Sequence, residues 1–133
     1  MRYLLDTNAI SEASRKPNGR IARRIQRVKD ENLGISPIVM GEIKFGLEKA
    51  SRPELTARMQ STLKVISVIP WNSKIAHHYG QICAHLSATG SMIGNNDMWI
   101  AAHALSLRLT LITHNTKEFE RVPKLKVEDW SVA

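Results

Sequence analysis

The segment Arg2-Tyr3-Leu4-Leu5-Asp6-Thr7-Asn8-Ala9-Ile10-Ser11 decides how the whole chain is read. Tyr3-Leu4-Leu5 is a short apolar run, the pattern of a strand buried on both faces. Asp6, Thr7 and Asn8 stand at its carboxyl end, and ligands of open α/β sheets gather outside that end of the strands. An Asx-type turn or a helix cap uses the same residue types for local hydrogen bonds. Alone, the stretch fits a turn as well as a site, and the rest of the chain has to decide.

Working outward, Lys16-Pro17-Asn18-Gly19 is a turn by composition. Arg20 to Lys29 follows as a helix with Ile21, Ile25 and Val28 on one face. Arg20, Arg23, Arg24 and Arg27 cover the other side. That side is either a solvated face or a phosphate-contacting surface beside the site, with Arg23 and Arg27 as its contacts. Leu33-Gly34-Ile35 reads as a second strand. Ser36-Pro37 starts a helix, Ser as cap and Pro in the first turn, running to about Ala50. Met40, Ile43 and Leu47 mark its buried stripe, and Glu42 lies beside it. Pro53-Glu54 opens a helix with Leu55, Met59 and Leu63 inward. Val65 to Ile69 is an edge or crossover strand ended by Pro70.

Asn72 or Ser73 caps the next helix, which ends at Gly90 and turns Ile75, Tyr79, Ile82 and Leu86 to the core. Its histidines, His77, His78 and His85, flank no glutamate at zinc-protease spacing and are expected at the surface or facing a partner. Asn95 or Asn96 caps the following helix. Asp97 falls in its first turn, where the helix dipole is expected to lower its pKa. Ile100, Ala101, Ala104 and Leu105 form a stripe that allows close packing. Leu109 to Thr113 is a strand that ends in Thr113-His114-Asn115-Thr116. Leu125 to Trp130 is a last short strand or extended tail. Trp71, Trp99 and Trp130 are expected in the core or at an interface, with the core favoured. Strands that alternate with helices predict an α/β fold with a mostly parallel central sheet of four to five strands, flanked by helices. At 133 residues the chain, 1–133, suits one domain.

The apolar fraction of 43% supports a real core and excludes the disordered class. No apolar run approaches a membrane span, and the first is broken at Asp6, so neither a transmembrane segment nor a signal peptide is expected. Cys83 is the single cysteine, which excludes an internal disulfide and fits a reducing, cytoplasmic setting. Lys and Arg number 19 against 12 Asp and Glu, a formal net charge of +7. That excess favours a polyanionic partner through counterion release and long-range steering.

In a parallel sheet, all strand carboxyl ends share one edge. Asp6 and Asn115 sit there directly. Asp97 reaches it if the loop at Gly94 carries it round, and Glu42 if its helix packs across the mouth. Three carboxylates in one place repel, and each would have a raised pKa without a cation. Hard oxygen ligands without a thiolate or imidazole select Mg²⁺, with Mn²⁺ as a substitute. Beside a basic surface, the reaction class is phosphodiester hydrolysis.

Four motifs in order carry a resemblance: Leu5-Asp6-Thr7-Asn8; Gly41-Glu42-Ile43 with Gly46; Ile93-Gly94-Asn95-Asn96-Asp97 with Ile100-Ala101-Ala102-His103-Ala104; and Leu111-Ile112-Thr113-His114-Asn115 with Glu118-Phe119. Together with the ending Val127-Glu128-Asp129-Trp130, the pattern resembles PIN-domain toxins of the VapC type over nearly the whole chain. The resemblance implies a PIN-like fold and a Mg²⁺-dependent endoribonuclease, the toxic component of a bacterial type II toxin–antitoxin system. It implies tRNA or rRNA as substrate, with the initiator tRNA anticodon loop favoured. It implies a homodimer and a cognate VapB antitoxin whose C-terminal segment blocks the site. By position, Asp6, Glu42 and Asp97 match the three main acids. Asp6 and Asp97 would bind the metal directly, and Glu42 would bind it or orient its waters.

Many members of that family carry a fourth acid where this chain has Asn115. The amide leaves the site one charge less negative, so one well-bound Mg²⁺ is expected, with Asn115 or Thr113 reaching it through water. Glu118 and Glu120 stand nearby and could compensate. Thr7 is expected to secure a neighbouring acid or water by its hydroxyl, and Asn8 to shape the turn into the first helix. Two rivals stand against this reading. A haloacid-dehalogenase-type phosphatase would need an aspartate at position 8, where this chain has Asn8. A non-catalytic nucleic-acid-binding module would use the basic charge alone.

Overall fold

The strand that ends in Asp6 is the middle of the sheet. β1 (Tyr3–Leu5) pairs in parallel with β2 (Leu33–Ile35) on one side and β4 (Thr110–Ile112) on the other in a computed structural model that describes residues 1–132. β3 (Ser67–Val68) and β5 (Val127–Glu128) complete a five-stranded, wholly parallel sheet in the order β3-β2-β1-β4-β5. Leu4, Leu5, Leu33, Ile35, Leu111 and Ile112 are fully buried, which is why the three inner strands are continuous apolar runs. The register sets Tyr3 opposite both Leu33 and Thr110, and Leu5 opposite Ile112. Asp6 and Thr113 therefore emerge side by side, one residue past their strands. β3 is short and exposed, an edge strand, and Pro70 just beyond it has no N–H to extend the pairing. At Gly34 of β2 a Cβ would run into the Ile69 side chain, which would have to move to admit it.

The helices flank this sheet as α1 (Thr7–Arg15), α2 (Arg20–Arg27), α3 (Pro37–Ala50), α4 (Pro53–Leu63), α5 (Ser73–Ala88), α6 (Asn95–Ser106) and the single turn α7 (Thr116–Phe119). α1 packs against α2, α3 and α4, while α5 and α6 lie along each other. α6 brings Ala101, Ala102 and Ala104 to full burial, the small side chains that permit this approach.

Several boundaries differ from the sequence reading. α2 stops at Arg27 rather than Lys29, because Val28 is already extended and leads into a 3₁₀ turn at Asp30–Asn32 that feeds β2. The stripe of α3 centres on Val39 and Ile43, with Met40 and Leu47 at its margins. Ser36 caps α3 as expected, accepting from Val39 N at 3.1 Å. Asn72 caps α5 by accepting from Lys74 N at 2.9 Å, and the helix ends at Ala88, before Gly90 at φ +65°. Neither Asn95 nor Asn96 caps α6. Gly94 holds that position, and Asn95 Oδ1 instead accepts from the Tyr79 hydroxyl at 2.6 Å. Of the tryptophans only Trp130 is buried. Trp99 is half-buried under Tyr79, stacked at 3.6 Å, and Trp71 is 43% exposed. Trp71 covers the ring of His103, whose fully buried imidazole makes no hydrogen bond through either nitrogen among the described residues. Burial holds that imidazole's pKa below the ordinary histidine range, against a smaller upward pull from the Pro70 carbonyl.

Candidate active site

Asp6 does two things at once. It is the N-cap of α1, with Oδ1 accepting from Ala9 N at 3.1 Å, so the turn-and-cap reading of this residue is correct. Its other oxygen, Oδ2, accepts a short hydrogen bond from the hydroxyl of Thr113 at the end of β4. The carboxyl is 4% exposed. Burial raises its pKa to about 6, and the charge of Glu42 adds to the rise, while bonds from Thr113, Ala9 and Asn8 pull the other way.

The neighbouring residues hold this corner together. Thr113 Oγ1 accepts from Asn115 N at 3.0 Å, and Asn8 Oδ1 accepts from His114 N at 3.1 Å, so the ends of β1 and β4 are stitched by side chains. Asn8 thus does more than shape the turn into α1: it fixes the segment that follows β4. Thr7 donates to Glu42 Oε1 at 2.6 Å, securing a neighbouring acid as its place in the sequence predicts. Glu42 reaches this corner from the second turn of α3.

Asp97 arrives from the first turn of α6, with Gly94 so close that a Cβ there would lie 3.4 Å from Asp97 Oδ2. Its pKa is raised to about 6, against the expected lowering by the helix dipole. Burial is the largest cause, followed by the charges of Glu118 and Asp6, a proton shared with Glu118, and the charge of Glu42. A first-turn dipole effect of about 0.3–1 kcal/mol is outweighed by partial burial among like charges.

Asp6, Glu42, Asp97 and Asn115 line one cavity of 400 Å³, together with Thr7 and Asn8. Two further residues belong here. Glu118 of α7 stands against Asp97 as a fourth carboxylate, a role the sequence suggested only loosely. Arg15 at the end of α1 also lines the cavity and went unsingled in the sequence, being one of many arginines. Arg23 and Arg27 lie elsewhere, on the exposed face of α2.

Among the described residues the metal-ligand donors lining the cavity are oxygens, with no thiolate or imidazole. Two carboxyls are pushed up to about 6 by burial and by one another, the mark of a site short of positive charge. This chemistry fits a hard divalent cation. Among the described residues no three ligand-type side chains are already drawn together at coordinating distance. The carboxyls feel each other's charge without forming a closed cage.

The sequence matches the PIN domain family over residues 3–125. "Ribonuclease VapC2" of Rickettsia felis is 34% identical over 132 residues, covering 98% of each chain. "tRNA(fMet)-specific endonuclease VapC" of Shigella flexneri is 36% identical over 133 residues, 98% of this chain and 99% of that one. The fold superimposes with a TM-score of 0.89 on a chain of VapBC2 from Rickettsia felis bound to a promoter DNA fragment, at 33% identity, covering 98% of this chain and 99% of that one. With the parallel sheet and the acids at its carboxyl edge, these likenesses make the chain a member of the PIN-domain family, in its VapC branch.

Proposed function

We propose that this chain is a Mg²⁺-dependent endoribonuclease, the toxic component of a type II toxin–antitoxin pair. The observation that carries the reading is the convergence of Asp6, Glu42 and Asp97 in one oxygen-lined cavity, where two carboxyls lack a compensating charge. The names of the relatives support ribonuclease activity and, in the Shigella flexneri protein, tRNA(fMet) as the substrate; a cut in the initiator tRNA anticodon loop is part of this proposal. The VapBC complexes among the structural relatives support a VapB-type antitoxin as partner. A homodimer and a bacterial cytoplasmic setting belong to the same reading, as does one PIN domain over 1–133. No helix among the described residues is long and apolar enough to cross a membrane.

In this proposal Asp6 and Asp97 hold the ion, and Glu42 and Glu118 complete its surroundings. A bound Mg²⁺, or Mn²⁺ in its place, would supply the missing positive charge, lower the pKa of a bound water and offset charge that builds on the phosphate. The chain's own residues prepare the site. Thr113 fixes Oδ2 of Asp6. Thr7 occupies Oε1 of Glu42 and leaves Oε2 to orient water or take its proton. Asn115, neutral and on the cavity wall, would reach the ion through water, while the Thr113 hydroxyl is already engaged by Asp6 and Asn115 N. Arg15 faces the substrate phosphate from the cavity wall.

The test is cleavage of bacterial tRNA by the purified protein with Mg²⁺, with EDTA, and with Asp97→Asn, the cut being located by primer extension. Cleavage that needs Mg²⁺ and disappears in the variant supports the proposal. Full activity in Asp97→Asn contradicts the site assignment. A second reading, a nucleic-acid-binding module without catalysis, draws on the absence of a closed ligand cluster among the described residues. It predicts tRNA that is bound yet uncut at any Mg²⁺ concentration.

A further inference from the structure

A second cleft exceeds the acidic cavity in volume. This cleft of 610 Å³ opens between α2 and the segment after β5, lined by Arg20, Arg23, Arg24 and Arg27 on one side and by Asp129 and Trp130 on the other. The four arginines follow helical spacing of i, i+3 or i+4, and i+7, so they form one row about 10 Å long. None of them makes an ion pair among the described residues.

The acids of the cleft, in contrast, are already engaged. Glu128 Oε1 accepts from Trp130 Nε1 at 3.1 Å. Asp129 Oδ1 accepts from Ser131 Oγ at 2.6 Å, and Oδ2 meets His114 Nδ1 at 3.2 Å. The arginine row therefore keeps its charge for something outside the chain. Arg24 is laid over the Trp130 ring, its guanidinium carbon 4.9 Å from the centroid, which fixes that fork against a buried aromatic floor.

The cleft also adjoins the acidic cavity. His114 lies between them: its backbone N–H binds Asn8, which lines the acidic cavity, and its ring binds Asp129, which lines the cleft. A strand whose phosphate sits among the acids and leaves across His114 passes directly onto the arginine row.

We propose that this cleft is a second phosphate-binding subsite, in which Arg20, Arg23, Arg24 and Arg27 hold the RNA backbone that flanks the bond to be cut. The inference rests on the ribonuclease reading above and adds to it where the strand runs. Successive phosphates suit a row of guanidinium forks, each able to grip a phosphate through two parallel N–H bonds. The aromatic floor is covered by Arg24, so the cleft reads the backbone and not the bases.

The experiment compares wild type with Arg23→Gln/Arg27→Gln, both exposed positions whose change leaves the fold intact, checked by thermal unfolding. Binding of a fluorescein-labelled single-stranded oligoribonucleotide is measured by anisotropy in EDTA over a salt series. Cleavage of that oligonucleotide and of a dinucleotide too short to reach the cleft is measured in Mg²⁺. The expected result is RNA binding weakened about tenfold, with the slope of log K against log[salt] shallower by about 1.4, two single-strand phosphate contacts. KM for the long substrate rises, its kcat is unchanged, and dinucleotide cleavage is unaltered. If wild type binds and cuts RNA and the variant matches it in affinity and salt slope, the subsite is refuted while the ribonuclease reading stands. The same holds if RNA handling is unchanged but an acidic protein partner is lost, which would make the cleft a protein dock. Wild type that neither binds nor cuts RNA overturns both readings together.

Discussion

Replacing Asp97 by Asn should make the metal-free protein more stable. Asp97 has its pKa raised from 3.8 to about 6, by burial first and then by the charges of Glu118, Asp6 and Glu42. A folded-state pKa above the unfolded value means that the native protein binds the proton more tightly than the unfolded chain does. The ionised carboxylate therefore costs stability. That cost is absent below about pH 4, grows as pH rises toward about 6, and is complete at neutral pH. A shift of about two units corresponds to about 3 kcal/mol as an upper bound. Asp97 is only half-buried. Screening by water and the loss of a favourable first-turn charge reduce the expected gain of Asp97→Asn to about 1–2 kcal/mol. For a domain of this size that is a rise in Tm of roughly 3–8 °C. The assay is thermal unfolding of both proteins in EDTA at neutral pH and again near pH 4, then at neutral pH with Mg²⁺. The gap should be widest at neutral pH without metal and close as the pH falls. Mg²⁺ should raise the Tm of wild type and leave the variant almost unmoved. A variant that melts below wild type in neutral EDTA, or a gap of the same size at both pH values, would refute the claim that like charges and burial strain this carboxyl.

Three further outcomes follow from the same geometry. Asn115→Asp places an acid on the cavity wall and should tighten Mg²⁺ binding, measured by calorimetry, while tRNA cleavage persists; complete loss of cleavage would mean that Asn115 touches RNA or that the added charge displaces the ion. Thr113→Val removes the donor from Oδ2 of buried Asp6 and should destabilise the protein by about 1–3 kcal/mol in chemical denaturation and weaken metal binding; an unchanged midpoint would show the hydroxyl to be dispensable. His103→Leu fills similar space without two unsatisfied ring nitrogens and should be neutral or stabilising by about 1 kcal/mol, read from the urea midpoint, whereas a loss above about 2 kcal/mol would assign those nitrogens a partner.

The parts of this molecule that were legible in its sequence are those governed by local pattern. Leu4-Leu5, Leu33 to Ile35 and Leu111-Ile112 are apolar runs closed by polar residues, and all became central parallel strands. The parallel order follows, and with it the shared edge that carries Asp6 and Thr113. Ser36-Pro37 announced α3, which placed Glu42 one helical turn inside its start. What stayed hidden depends on contacts made across the chain. The sign of the Asp97 shift is set by burial first and then by Glu118, Asp6 and Glu42, each at least 20 positions away, so the raised pKa expected of converging carboxylates holds and the local helix-dipole argument points the wrong way. Glu118 comes against Asp97 through the one-turn α7, which no local pattern places there. Trp71 reads as core by residue type, yet serves as an exposed lid on His103. Asn95 looks like a cap in sequence and is drawn away by Tyr79, sixteen residues earlier.

The central claim is that the acids at the carboxyl edge of β1 form a divalent-cation site. Anomalous diffraction from crystals grown with Mn²⁺ tests it most directly. The account predicts one strong Mn²⁺ peak in the cavity between Asp6 and Asp97, with Glu42 and Glu118 around it and Asn115 at water-bridged distance, and loss of that peak in Asp97→Asn. A well-ordered cavity that stays free of Mn²⁺ while the ion occupies another site, or a peak that survives in Asp97→Asn unchanged, would contradict it.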